Sequence, residues 1–129
     1  LKKVALLCTH GAVKKFEKGL VNEQEVLVNI TDIMIDVYLA ESLALRIEKR
    51  ESLKGHDPLY RDLLDVFIHD SAFRIRKAAY DAVCSFADGD GITELTGAVE
   101  KLCRTYCVNV KEARRRIADK VIADNEYKF

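Results

Sequence analysis

Between Glu23 and Lys49 the chain reads EQEVLVNITDIMIDVYLAESLALRIEK, a stretch without Pro or Gly and so without anything that interrupts a helix. Its apolar residues cover more of the circumference than one amphipathic face requires. At about 100° per residue, Val26, Ile30, Ile33, Met34, Val37, Tyr38, Ala40, Ala44 and Leu45 share one broad face, expected to be bundle core. Val28, Ile35, Leu39 and Leu43 form a second stripe on the opposite side. Asn29, Asp32 and Asp36 separate the two on one flank, Thr31 and Ser42 on the other. The second stripe needs a cover of its own, and two are open. Either this helix is central within its domain and meets other helices on both sides, or Val28, Ile35, Leu39 and Leu43 are candidate interface residues for something outside.

The flanking segments are also helical. Ala5, Cys8, Ala12 and Phe16 recur at steps of three and four in a helix expected from Lys2 to Lys18 and ended by Gly19. Asn22, with Glu25 at the capping-box position, is the expected N-cap of the long helix, which should run to about Ser52. Gly55 and Pro58 then mark a reversal. Leu59 to Phe86 presents Tyr60, Leu64, Phe67, Ser71, Ile75, Ala78 and Ala82 inward, with Asp70–Arg74 and Lys77–Asp81 as i, i+4 pairs outside. Its alanines permit close helix packing. After the turn ADGDG, the residues Ile92, Leu95, Val99, Leu102 and Tyr106 predict a fourth helix. Asn109 with Glu112 then opens a fifth, with Val110, Ala113, Ile117 and Val121 inward. No segment alternates with period two. The expected fold is all-α, an antiparallel up-and-down bundle of four to five helices, with residues 1–129 as one helical domain.

A chain of 129 residues is long enough to bury a core without disulfide or metal staples. Its 21 basic and 21 acidic residues balance, which gives no field to attract nucleic acid. The four cysteines lack CxxC spacing, and neither a signal peptide nor a run of about 20 apolar residues is present, so a reducing, soluble compartment is expected. The first residue is Leu and the only methionine is Met34. The polypeptide is therefore expected to be part of a longer chain, with the missing portion before Leu1.

Few residues invite chemistry. Glu41 falls within the broad apolar face, where a carboxylate needs a partner such as Arg74 or a cation from the fifth helix. That predicts a structural carboxylate rather than an acid or base. Cys8 with His10, and Cys103 with Cys107, have the wrong spacing for zinc ribbons or fingers and fit buried helical packing better. His56 and His69 have no Ser or Cys at local triad spacing. DGDG at Asp88 to Gly91 lacks the Glu that a calcium loop needs at its twelfth position, where Val99 stands. RIRK from Arg74 and RRR from Arg114 are interleaved with Asp70, Asp81, Glu112 and Asp119 and are expected to be solvated faces. There is no Gly-rich phosphate loop. No catalytic, cofactor-binding or metal residue is assigned.

The long helix, preceded by FEKGLVNEQE, resembles the C-terminal extension of acyl-CoA dehydrogenases of the very-long-chain type. The likeness lies in the first two helices, and beyond about Asp57 it is one of layout. The resemblance implies a parent enzyme that removes two hydrogens across the α,β bond of a fatty acyl-CoA, with FAD as hydride acceptor and a Glu as base. Both belong to the dehydrogenase body expected before Leu1, so the chain itself is expected to hold no cofactor. The resemblance also implies that the extension covers surface which shorter relatives use for tetramer assembly, giving a homodimeric parent. The compartment it implies is the bacterial cytoplasm or the mitochondrion. Membrane association occurs in some members, but the mixed charges here leave no obvious amphipathic anchor. A free-standing helical interaction module without enzymatic activity is the alternative.

Overall fold

The computed structural model describes residues 1–125, which contain five α-helices and no strand. Helix α1 spans Lys2–Phe16, α2 Gln24–Lys54, α3 Pro58–Phe86, α4 Asp90–Leu102 and α5 Val110–Asp124. The expected all-α bundle is thus present. Asp36 meets Arg74 while Arg50 meets Asp57, so α2 and α3 run antiparallel over most of their length.

The turn chemistry explains several boundaries. Gly55 closes α2 at φ 83°, a conformation that side chains with a Cβ rarely adopt. Asp57 Oδ1 then accepts from the Leu59 amide at 3.0 Å, and Pro58 occupies the first turn, where its missing N–H is no loss. Asn109 Oδ1 accepts from the Glu112 amide at 3.2 Å and caps α5 as expected.

Other boundaries differ from expectation. α1 ends at Phe16 rather than Lys18, because Glu17 takes φ 48° and the chain tightens into a 3₁₀ segment, Glu17–Asn22. Asn22 is consumed in that segment, so Glu23 precedes α2 and no side chain caps it. α2 runs on to Lys54, beyond Ser52. α4 stops at Leu102, and Tyr106, expected inward on it, lies beyond the helix and is exposed, its hydroxyl donating to Asp65. Asp70 and Arg74 do not pair with each other. Each reaches across to another helix instead.

The core gathers at one end. Val4, Cys8 and Ala12 of α1, Val26, Ile30 and Ile33 of α2, Val99 of α4 and Cys103 just after it close on Ile75, Ala79, Val83 and Phe86 of α3. Ala72, Ala78, Ala79 and Ala82 of α3 are buried, and among the glycines Gly11 marks a close approach, where a Cβ would stand 2.3 Å from the Phe86 ring. At the other end, among the described residues, α5 packs on α3 alone; Ile47 of α2 is buried there, while Leu43 of α2 and Leu63 of α3 are half-buried. The central helix is therefore α3, which touches all four others. α2 meets only α1, the 3₁₀ segment and α3 among the described residues, so the expectation that α2 could be central is corrected.

Candidate interaction site

The inward face of α2 is narrower than its sequence suggests. Val26, Ile30, Ile33, Ala40 and Ile47 are buried, but Met34, Tyr38 and Leu45, expected in the core, are 46, 70 and 58% exposed. They stand on the outward side beside the second stripe, in which Val28, Ile35 and Leu39 are 57, 50 and 44% exposed. Leu43 is half-buried and borders that side, lining a groove with Tyr60 and Leu63 of α3. At about 100° per residue, the arc from Met34 round to Leu39 covers roughly 140° of the helix, with Thr31 and Ser42 as small polar residues within it. Two apolar stripes thus merge into one surface, and no helix among the described residues covers it.

The buried carboxylate of α2 is Asp36. Its oxygens accept from Arg74 Nε at 3.0 Å and Nη2 at 2.6 Å, and Ser71 Oγ, fully buried, stands 3.5 Å away and accepts from Arg74 at 3.0 Å. Arg74 is the cation expected beside Glu41, but it serves Asp36. Glu41 is exposed and pairs with Lys2 of α1, which corrects its placement in the core. The reason is angular: with Met34, Tyr38 and Leu45 turned outward, the centre of the core face moves away from Glu41, leaving Asp36 and Glu41 on its two shoulders. Asp36 meets α3, and Glu41 meets α1.

The remaining candidates separate in space. Cys8 and Cys103 are buried, and burial, with a smaller contribution from the neighbouring Cys103 sulfur, pushes the Cys8 thiol up to about 11. Cys84 and Cys107 are exposed. His56 contacts Glu51 and His69 contacts Asp70. Among the described residues no three His, Cys, Asp or Glu side chains converge on a point where a metal ion could sit. Lys15 pairs with Asp88 at 2.6 Å, and Gly89, with φ 53°, opens α4, so DGDG is a turn. The RRR run is tied to acidic partners: Arg116 grips Asp62 with two hydrogen bonds of 2.6 and 2.7 Å, Arg114 holds Asp70 at 2.7 Å, and Arg115 holds Glu112. The two that cross between helices, Arg114–Asp70 and Arg116–Asp62, lacked any local signal in the sequence.

The grooves among the described residues are open clefts of 290 to 510 Å³. No helix is long and apolar enough to cross a membrane among the described residues.

Comparison with known proteins places the domain. Residues 1–101 match the model of the family described as acyl-CoA dehydrogenase, C-terminal domain. A probable acyl-CoA dehydrogenase of Bacillus subtilis (strain 168) is 30% identical over 128 residues, which cover 98% of this chain and 22% of that protein. The crystal structure of an acyl-CoA dehydrogenase complexed with FAD from Bacillus anthracis superposes with a TM-score of 0.95 at 32% identity, covering 99% of this chain and 23% of that one. The chain therefore spans less than a quarter of the length of these relatives.

Proposed function

Because the chain belongs to the family of acyl-CoA dehydrogenase C-terminal domains, we propose that it is the non-catalytic helical domain of a FAD-dependent acyl-CoA dehydrogenase and docks on the dehydrogenase body through the outward face of α2. The observation that carries this reading is the uncovered apolar surface of Val28, Met34, Ile35, Tyr38, Leu39 and Leu45. A contiguous exposed patch of this kind marks an interaction site, since covering a Leu, Ile or Val side chain stabilises by about 1.5–3 kcal/mol relative to full exposure. The relatives supply the occupant, because each carries more than three-quarters of its length outside the region matched here.

Flavin and substrate belong to the body on this reading. The domain supports the assembly or acyl-chain range of the parent, read as a soluble homodimer of fatty-acid β-oxidation. The chemistry is proton removal by a body carboxylate and hydride transfer to FAD. The parent is read as the very-long-chain type, from its likeness to that group's extension.

Replacing Ile35 and Leu39 together with Glu tests the docking face. The variant is expected to keep the helical circular dichroism and cooperative melt of the parent sequence, because Val26, Ile30, Ile33 and Ala40 still fill the core. Binding to a separately expressed dehydrogenase body, measured by sedimentation, is expected to be lost. Unfolding of the double variant, or unaltered binding to the body, would overturn the assignment of this face. Loss of self-association alone, with no measurable docking to the body, would assign the face to a second copy instead.

A further inference from the structure

At the far end of the α2–α3 pair, Arg46, Arg50 and Lys54 stand at successive i, i+4 positions on α2. Neighbours in this series lie about 6 Å apart along the helix axis. They line a groove of about 290 Å³ whose floor is Leu43, Tyr60 and Leu63. Charge in this groove is not balanced. Among the described residues neither Arg46 nor Lys54 has a hydrogen-bond or ion-pair partner. Arg50 has one carboxylate contact, Nη2 to Asp57 Oδ2 at 3.2 Å, while the other oxygen of Asp57 caps α3. Glu51, the other carboxylate of this turn of α2, is taken by Arg61 and His56.

The guanidinium of Arg50 is also held in place. Its central carbon stands over the Tyr60 ring, 3.7 Å from the ring centre. A cation held over a ring in this way is preorganised for a ligand in the groove. Among the described residues, three cations against one carboxylate leave an excess of positive charge at a concave site, in a chain whose formal net charge is zero.

We propose that this groove is a binding site for a small oligophosphate, its phosphoryl oxygens shared by Arg46, Arg50 and Lys54 and any attached ring or apolar group resting on Leu43, Tyr60 and Leu63. Phosphate suits the site better than a single carboxylate because its oxygens can meet several donors along the series, and guanidinium forks match phosphate geometry. The size of the groove limits the occupant to about a nucleotide.

Inorganic pyrophosphate is the first probe, titrated into the 129-residue chain by calorimetry at low ionic strength, with ADP and adenosine as second and third. Saturable binding of pyrophosphate and ADP, weaker or absent for adenosine, is expected. Replacing Arg46 and Lys54 with Gln should raise Kd by about tenfold or more, since two charge-assisted contacts are removed. Neither side chain holds the fold, so the variant should melt with the parent. Asp57→Asn keeps a capping oxygen for α3 but removes the charge that competes for Arg50, and it should tighten binding by severalfold. No saturable heat with pyrophosphate up to about 10 mM, well above the range of specific small-ligand affinities, would overturn the proposal. So would binding that the double variant leaves unchanged, or that Asp57→Asn weakens.

Discussion

Asp36 and Glu41 are five residues apart on one helix, and their fates differ because of where the core face is centred. Asp36 is buried against Arg74 and Ser71, whereas Glu41 is exposed against Lys2. Removing Arg74 as Arg74→Met leaves Asp36 without its cation and is expected to destabilise by about 1–3 kcal/mol, the lower part of the range being favoured because Arg74 itself is half-exposed. Glu41→Gln should change stability by less than about 1 kcal/mol, as exposed pairs generally do. Urea denaturation of the two variants decides the order, and a larger loss for Glu41→Gln would reverse the assignment. Sequence periodicity placed both residues on α2 but ranked them wrongly. A helix apolar on two sides has no sharp hydrophobic direction, so Met34, Tyr38 and Leu45 could be counted inward and carry Glu41 with them.

Single elements were easier to read where a local signal existed. Gly55, Pro58 and Asn109 mark their boundaries through backbone requirements that a neighbouring helix does not change. Asn22 failed because the 3₁₀ segment absorbed it. The inward face of α5, Val110, Ala113, Ile117 and Val121, was legible, but its ion-pair partners were not, since they are more than 40 residues away: Arg114 on Asp70 and Arg116 on Asp62. Ala113 of α5 is buried and Val110, Ile117 and Val121 are half-buried, and the two cross-helix ion pairs add charge to this attachment. Burial works against ionisation of Asp70, but the hydrogen bonds from Arg114 and His69 outweigh it and hold its carboxyl below the ordinary value of 3.8. A depressed carboxylate contributes stability that is present above its unfolded pKa and lost as pH falls through the folded one. α5 is therefore expected to stay docked from neutral pH down to about 4 and to loosen below the ordinary value of 3.8. Amide exchange of α5 against α3 measures this. Equal protection of α5 at pH 3 and pH 6, after correction for intrinsic rates, would show that apolar contacts suffice.

Across the whole molecule, α3 is the hub and α2 is a wall with one side unfinished. The all-α class and five helices follow from apolar spacing and turn residues. The choice of hub does not, because α2 and α3 are both long and both rich in apolar residues, and only the positions of α4 and α5 settle which is enclosed. Both pack on α3, and what remains uncovered on α2 is the surface proposed to meet the dehydrogenase body. A thiol footprint at its centre reads that contact directly. With the exposed Cys84 and Cys107 replaced by Ser, and Cys8 and Cys103 shielded in the core, a thiol introduced as Ile35→Cys reports on this face. Maleimide should label it at the rate of an open side chain in the isolated chain, and at least about tenfold more slowly when the chain is joined to its dehydrogenase body, a loss of access equivalent to about 1.4 kcal/mol. Equal labelling rates in the two settings would contradict the proposed role of α2.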